Sequence, residues 1–274
     1  MNYLIGAIKH CDITRINNWA KSAIKYCNCE VVLLVLDQVI PESLSQLLTL
    51  GIKVIHSPTK DEVDINICKW ERHFVVREFL KTLKENDLVL LTDTVDVVFQ
   101  KDPFKWFLDN AKKDIILTSE GIEHKDEPWN KWAIEVEHTE FYKELENKEV
   151  INSGIILGRL QPIMNTLLHM YVATRKQNFI SADQPALNVA LLSTFLTDHI
   201  QVVNSDDGLV IHCGVSGPTP CFYELGFVNT YKYGVPVKEN NKIINNKTRE
   251  IFPIVHQYTR INEWEAFFTK LYNN

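Results

Sequence analysis

The first hundred residues alternate apolar runs with segments of helical periodicity, and this alternation limits the fold more than any other feature. Four apolar runs have the composition of buried parallel strands: residues 3–8, 30–36, 53–56 and 88–92. Helical patterns separate them over residues 13–26, 41–50 and 65–83, the last with Asp64 as a candidate cap. The pattern predicts an α/β protein with a Rossmann-like parallel sheet.

Composition excludes several classes of protein. The chain has 274 residues, a net charge of −6 and no strong shift in composition, which favours one domain over two and argues against a nucleic-acid partner. Its apolar runs are too short to span a bilayer, although peripheral membrane contact stays open. With no recognisable signal peptide and no metal-like cysteine spacing among six cysteines, we expect a cytoplasmic protein with reduced thiols.

Two carboxylates, Asp93 and Asp96, follow the fourth apolar run directly. Ligands bind beyond the carboxyl ends of strands in open α/β sheets, so both side chains lie where a site is expected. Carboxylate oxygens suit Mg²⁺ or Mn²⁺, and such an ion would in turn hold a diphosphate. The alternative is that both residues only close a β-hairpin, since Asp is common in turns.

Two arginines, Arg72 and Arg77, lie on the predicted helix before this strand. Five residues apart, they point in different directions. The planar guanidinium pairs well with phosphate oxygens, and Arg72 is the candidate for contacting a diphosphate. The alternative is that both are solvated surface residues.

The second half is less regular, and its predicted elements are short. Strands are predicted at residues 114–119, 155–157, 201–204, 209–212 and 254–256. Helices are predicted at residues 103–110, 132–146, 161–176, 183–192 and 263–272. Loops are predicted at residues 121–131 and over most of 213–247.

Four segments occur in an order that is informative as a set. They are DTVDVVFQKDPF at 93–104, NSGIILG at 152–158, SADQPALN at 181–188 and VHQYTR at 255–260. Together they resemble the DxD-type, sugar-nucleotide-dependent glycosyltransferases of the GT-A fold. The resemblance implies a single domain with a mixed central sheet flanked by helices. Residues 1–104 would form the nucleotide-binding half and residues 105–274 the donor-sugar and acceptor half.

The resemblance also implies a metal site. His256 corresponds to the late histidine that completes it, with Mn²⁺ or Mg²⁺ as the ion, while His212 also ends a predicted strand and is a rival ligand. The usual motif has one residue between its carboxylates, whereas Thr94 and Val95 separate Asp93 from Asp96 here. Alignment on the following Val-Val-Phe puts Asp96 at the second carboxylate and Thr94 at the first. Asp93 would then reach the ribose, or the metal through water.

The donor-sugar pocket is implied by two of the segments. Asn152 would contact sugar hydroxyls through its amide, and Gly154 would let the sugar approach the backbone. Asp183 and Gln184 would lie near the reacting centre, with helix capping as the alternative for Asp183. Aromatic residues after position 128 could stack on an acceptor sugar or pack in the core: Trp129, Trp132 and Tyr142.

The function implied is metal-assisted transfer of a sugar from a nucleotide-diphosphate sugar, with UDP as the expected nucleotide, to a hydroxyl of a glycan or other acceptor. The motifs are closer to the retaining branch of the fold. A non-catalytic nucleotide-sugar-binding module, favoured by the altered carboxylate spacing, and a sugar-nucleotide hydrolase are the alternatives.

Overall fold

The computed structural model describes residues 1–11, 13–40, 42–59, 68–174, 183–216 and 231–273. Predictions for Pro41, Asp64, Ser181 and Ala182 lie outside these residues. Twelve strands lie within them: β1 (Asn2–Ile8), β2 (Glu30–Val35), β3 (Lys53–His56), β4 (Leu88–Thr92), β5 (Val97–Phe99), β6 (Ile115–Glu123), β7 (Glu149–Arg159), β8 (Ile200–Val203), β9 (Val210–His212), β10 (Pro236–Glu239), β11 (Lys242–Asn245) and β12 (Ile254–His256).

Seven of these strands form a central mixed sheet in the order β3-β2-β1-β4-β7-β6-β8. Each neighbouring pair is parallel except the two pairs that involve β7, which runs antiparallel to β4 and to β6. Strands and helices alternate and the strands pair in parallel through β4, as the first hundred residues predict. The predicted α/β class with a mixed sheet is confirmed. The carboxyl ends of β1 and β4 are adjacent, and they open the edge where the site lies.

Helices cover both faces of the central sheet. They are α1 (Ile13–Tyr26), α2 (Ser45–Thr49), α3 (Cys68–Leu80), α4 (Pro103–Asn110), α5 (Pro128–Glu137), α6 (Tyr142–Leu145), α7 (Leu160–Thr174), α8 (Asp183–Ala190), α9 (Thr194–Thr197), α10 (Cys213–Ser216) and α11 (Asn262–Asn273). Side chains alternate across each strand, so Leu4 packs with α1 and α4 on one face while Ile5 packs with α3, α7 and α8 on the other.

A second, three-stranded sheet lies beside the central one, in the order β5-β12-β9. β12 runs antiparallel to β5 and parallel to β9, with His256 opposite both Val97 and His212. Its outer face packs on α11 through a cluster that includes Val98 and Val255. This sheet brings the beginning of β5 and the ends of β9 and β12 to the same edge as the end of β4.

Two irregularities differ from the sequence prediction. β7 begins at Glu149 rather than at residue 155, and it contains a bulge: Ile156 pairs with Leu117, whereas Asn152 pairs with the next residue of β6, Thr118. Such a bulge redirects the side chains of a strand. Residues 236–245, predicted as loop, form the hairpin β10–β11, whose turn places Asn240 and Asn241 at φ values of 46° and 60°.

The segment between β6 and α6 is also more regular than predicted. β6 continues to Glu123, and α5 begins at Pro128 rather than at Trp132. Proline suits the first helical position, and the Glu127 side chain caps the helix by accepting from the Asn130 backbone N–H at 2.5 Å. The helix predicted over residues 132–146 is divided, since α5 ends at Glu137 and α6 is a separate turn.

Candidate active site

Three predicted ligands meet where the two sheets join. Asp93 follows β4, Asp96 precedes β5 and His256 ends β12. One ligand atom from each lies within 4.8 Å of the others. The His256 Nε2 atom is 3.5 Å from Asp93 Oδ2 and 3.6 Å from Asp96 Oδ1, so the histidine faces both carboxylates equally. Despite the extra residue between them, both carboxylates face the same point, and Asp93 belongs to the cluster as fully as Asp96.

Gly154 makes this convergence sterically feasible. A Cβ atom at this position would lie 2.5 Å from Asp93 Oδ2 and 2.7 Å from His256 Cε1. The backbone is equally close, since the Asp93 N–H donates to the Gly154 carbonyl at 2.9 Å. The absence of a side chain at this position leaves room for the side chains of the cluster, and the predicted approach of a sugar to Gly154 stays a prediction.

The electrostatics of the cluster suit a cation. Burial favours the protonated form of Asp93, but the charges of Arg72 and His256 outweigh burial and hold the pKa of Asp93 well below its usual range. Burial alone would lower the pKa of His256, yet the carboxylates of Asp96 and Asp93 raise that pKa to about 10. Within the described part of the chain, the buried His256 Nε2 atom has no hydrogen-bond partner. Two carboxylates and an imidazole nitrogen directed at one point fit Mn²⁺ or Mg²⁺.

Arg72 links this cluster to a second predicted group. From α3, its Nη1 donates to Asp93 Oδ1 and its Nη2 to Asp183 Oδ2, both at 2.7 Å. Arg77 points elsewhere, donating from Nε to the Met164 carbonyl oxygen. Asp183 begins α8, and its Oδ1 accepts from the Gln184 N–H at 2.9 Å. Asp183 therefore has a charged partner in addition to its contact within the helix.

The two predicted amides, Asn152 and Gln184, converge on a buried carboxyl group that the sequence interpretation missed. Glu120 Oε1 accepts from Asn152 Nδ2 at 2.7 Å and from Gln184 Nε2 at 3.3 Å. Gln184 Nε2 also donates to Asn130 Oδ1 at 2.7 Å. Both amides lie in a buried layer, since Asn152 is 1% exposed and Gln184 is 8% exposed.

Glu120 is itself unusual in its environment. Burial, with the nearby charge of Glu127 acting in the same direction, outweighs the hydrogen bonds from Asn152 and Gln184 and raises the pKa of Glu120 to about 7. The signal that identified Asp93 also applies to Glu120, because Glu120 directly follows the strand predicted at 114–119. The segment after Glu120 is polar and was predicted as a loop, so Glu120 was not identified as a candidate.

Thr94 and His212 are both buried near the carboxylates. Thr94 packs against β1, where a Cβ on Gly6 would lie 2.3 Å from Thr94 Cγ2. Thr94 also lines the cavity described next. His212 is not part of the cluster of ligand atoms. Its Nδ1 lies 2.9 Å from His256 Nδ1 and its Nε2 lies 2.8 Å from Thr118 Oγ1. His212 therefore lies between His256 and β6.

A cavity of about 560 Å³ opens at the carboxyl ends of β1 and β4, with Asp93 and Asp96 in its wall. Apolar groups from Ala7, Ile8 and Leu36 line one part of it. Of the described residues, four with cationic side chains line it as well: Lys9, Arg15, Arg72 and Arg260. Cations beside a carboxylate cluster can accommodate a polyanion together with a divalent ion.

The structure resembles solved glycosyltransferases. Two are crystal structures of the glycosyltransferase GlyE of Streptococcus pneumoniae TIGR4, one of them the apo form. TM-scores are 0.52 for the apo form and 0.51 for the other, and sequence identity is 14% with both. The matches cover 99% and 100% of this chain but 63% and 64% of those chains, so this chain spans less than two thirds of their length. At this identity they show a shared fold.

The class of protein follows from the fold together with a match in sequence. The model of the nucleotide-diphospho-sugar transferase family matches residues 35–239, most of the chain. The chain belongs to this family. Membership confirms the predicted resemblance to glycosyltransferases that use nucleotide-diphospho-sugars. No curated protein sequence matches the chain significantly, and among the described residues no helix has both the length and the apolar character needed to cross a membrane.

Proposed function

We propose that the protein transfers a sugar from a UDP-linked donor to a hydroxyl group of a glycan acceptor, with Mn²⁺ or Mg²⁺ bound by Asp93, Asp96 and His256. The observation that carries this proposal is the meeting of three ligand groups in and beside the wall of a cation-lined cavity. The division into a nucleotide-binding half, 1–104, and a donor-sugar and acceptor half, 105–274, remains part of the proposal.

The diphosphate would lie between the carboxylate cluster and the cations of the cavity. A divalent ion bound there supplies Lewis-acid stabilisation of the charge that develops on the leaving group. Lys9, Arg15 and Arg260 add positive charge on the cavity side. The apolar part near Ala7 and Leu36 suits the base of the nucleotide, because planar bases bury best against apolar walls.

The donor sugar would lie on the other side of the cluster, towards Asp183. This carboxylate is 9% exposed and paired with Arg72, so its orientation is fixed before substrate binds. Asn152 and Gln184 support the pocket from the buried layer, where Glu120 fixes the direction of both amides. Transfer with retention of configuration, which the resemblance in sequence implies, is part of this proposal.

The acceptor would lie along α5. Trp129 and Trp132 are 42% and 45% exposed, while Asn130 on the same helix bonds to Gln184. Aromatic rings present apolar faces that stack on the C–H faces of sugars, and they cost little conformational entropy on binding. A glycan is therefore the preferred acceptor.

The test is a screen of sugar nucleotides with Mn²⁺, Mg²⁺ or EDTA. The expected result is a rise in melting temperature with one UDP-sugar that requires the metal, since a ligand that binds the folded state stabilises it. Release of UDP that depends on an added glycan would establish transfer. Equal UDP release without any acceptor would instead indicate a sugar-nucleotide hydrolase. Binding without turnover would indicate a binding module.

A further inference from the structure

The rings of His212 and His256 form a buried pair between the two sheets. They occupy facing positions at the ends of β9 and β12, with ring centroids 5.1 Å apart and planes at 74°. Their Nδ1 atoms are 2.9 Å apart. On its far side, His212 Nε2 lies 2.8 Å from the hydroxyl oxygen of Thr118, a fully buried residue of β6. The three side chains form one chain of hydrogen bonds.

A hydrogen bond between two nitrogen atoms contains one proton. The donor and the acceptor in each of these hydrogen bonds therefore follow from which nitrogen atom of His256 is protonated. For His256 Nε2 to offer a lone pair to a cation, the proton of the neutral ring must be on Nδ1. His256 Nδ1 then donates to His212 Nδ1, which must be unprotonated. The proton of neutral His212 is therefore on Nε2, where it is donated to Thr118 Oγ1.

We propose that His212 is a positioning residue that holds His256 in the Nδ1–H tautomer and turns its Nε2 towards Asp93 and Asp96. The inference rests on the metal site of the proposed function. It replaces the prediction that His212 is a rival ligand, since both ring nitrogens of His212 face the protein interior. Partners that orient a histidine ligand in this way change metal affinity by about 10–100-fold when they are removed.

Two substitutions separate positioning from packing. His212→Leu keeps an apolar side chain of useful size but removes the acceptor, whereas His212→Asn keeps an oxygen acceptor near the position of Nδ1. The matched control is His124→Leu, which replaces another buried histidine whose Nε2 lies 3.2 Å from Asn188 Oδ1.

Titration calorimetry with Mn²⁺ on the purified chain measures the effect on affinity. The dissociation constant should rise about 10–100-fold in His212→Leu and stay close to the parent value in His212→Asn and His124→Leu. Equal affinity in folded His212→Leu and the parent overturns the proposal. If His212→Leu does not fold, Thr118→Val removes the terminal acceptor at nearly constant volume and should weaken Mn²⁺ binding in the same direction.

Nitrogen-15 NMR of the histidine rings supplies a readout that does not depend on turnover. His212 should be protonated on Nε2 with and without Mg²⁺, and in the Mg²⁺-bound chain His256 should be protonated on Nδ1 alone. A proton on His212 Nδ1 overturns the proposal. If the parent binds neither Mn²⁺ nor Mg²⁺, both the metal site of the proposed function and this inference are wrong. If the parent binds the metal and His212→Leu binds it equally well, only this inference is wrong.

Discussion

Arg72 Nη2 donates to Asp183 Oδ2 over 2.7 Å across 111 residues of sequence, while Nη1 of the same guanidinium donates to Asp93 Oδ1. One planar group thus fixes the distance between the metal-ligand cluster and the carboxylate that begins α8. Because the guanidinium is rigid, displacement of either carboxylate would be transmitted to the other. The predicted nucleotide-binding half and the predicted donor-sugar half are therefore coupled directly at the site.

The first prediction concerns the two carboxylates of the cluster. Asp93→Asn and Asp96→Asn should each abolish Mn²⁺-dependent UDP binding and transfer, because each removes a charged ligand from a three-ligand set. Calorimetry with Mn²⁺ and UDP provides the measurement. Asp102→Asn is the matched control, since Asp102 caps α4 by accepting from the Phe104 N–H and Asn caps equally well. Full Mn²⁺ affinity in either cluster variant would remove that residue from the ligand set.

The second prediction concerns the charge of Asp183. Asp183→Asn retains an oxygen that can accept from the Gln184 N–H, but it removes the ion pair with Arg72. Turnover should fall by roughly 10²-fold or more if the charge acts in the transition state, with UDP affinity and melting temperature nearly unchanged. Near-parent turnover would reduce Asp183 to a helix cap.

Arg72→Lys is the companion variant for the second prediction. Lysine keeps the positive charge but cannot bridge two carboxylates with a planar fork, so turnover should fall here as well. Arg77→Lys, on the next turns of α3, should leave turnover unchanged because Arg77 contacts α7 and Glu78 rather than the site.

Local sequence patterns predicted the parts of the site that follow strand ends. Asp93 and Asp96 follow a recognisable apolar run, and Asp102 precedes Pro103 in a sequence that is typical of a helix start. Local patterns do not predict the register in which distant strands pair. The alignment of His212 opposite His256 arises from pairing between β9 and β12, which are 44 residues apart at this point. Non-local pairing of this kind is set by tertiary packing.

The bulge in β7 was unpredictable for a related reason. Asn-Ser-Gly at 152–154 has the composition of a turn, and nothing local indicates that β6 continues to pair with β7 beside it. Glu120 was missed although it directly follows the predicted strand, because a loop was predicted from the next residue, whereas β6 continues to Glu123. Both errors concern the boundaries of elements, which are decided by neighbouring strands rather than by composition.

The third prediction tests the steric role of Gly154. Gly154→Ala would place a methyl group 2.5 Å from Asp93 Oδ2 and 2.7 Å from His256 Cε1, distances that require both ligands to move. Mn²⁺ affinity should fall by about tenfold or more, as is typical when metal ligands lose their orientation. Ser153→Ala, at the half-buried neighbouring position, is the control and should bind Mn²⁺ as the parent does. Unchanged affinity in Gly154→Ala would show that the cluster tolerates the added methyl group.

The fourth prediction concerns the pH dependence of stability through Glu120. Burial raises the pKa of this carboxyl group from 4.5 to about 7, so between these values the folded chain keeps a proton that the unfolded chain releases. The stabilising contribution is complete below about pH 4.5 and is lost as pH rises through about 7. The free energy of unfolding should therefore fall over this window by on the order of 3 kcal/mol from this group.

Glu120→Gln isolates that contribution, because the amide does not titrate and can still accept from Asn152 and Gln184. Urea unfolding of parent and variant at several pH values between 4.5 and 8 gives the comparison. The difference in unfolding free energy should shift in favour of the variant as pH rises, since only the parent must release a buried proton. Glu135→Gln, on the exposed side of α5, controls for loss of a negative charge and should not show this shift. Parallel pH profiles for the parent and Glu120→Gln would mean that Glu120 is ionised in the folded chain throughout this range.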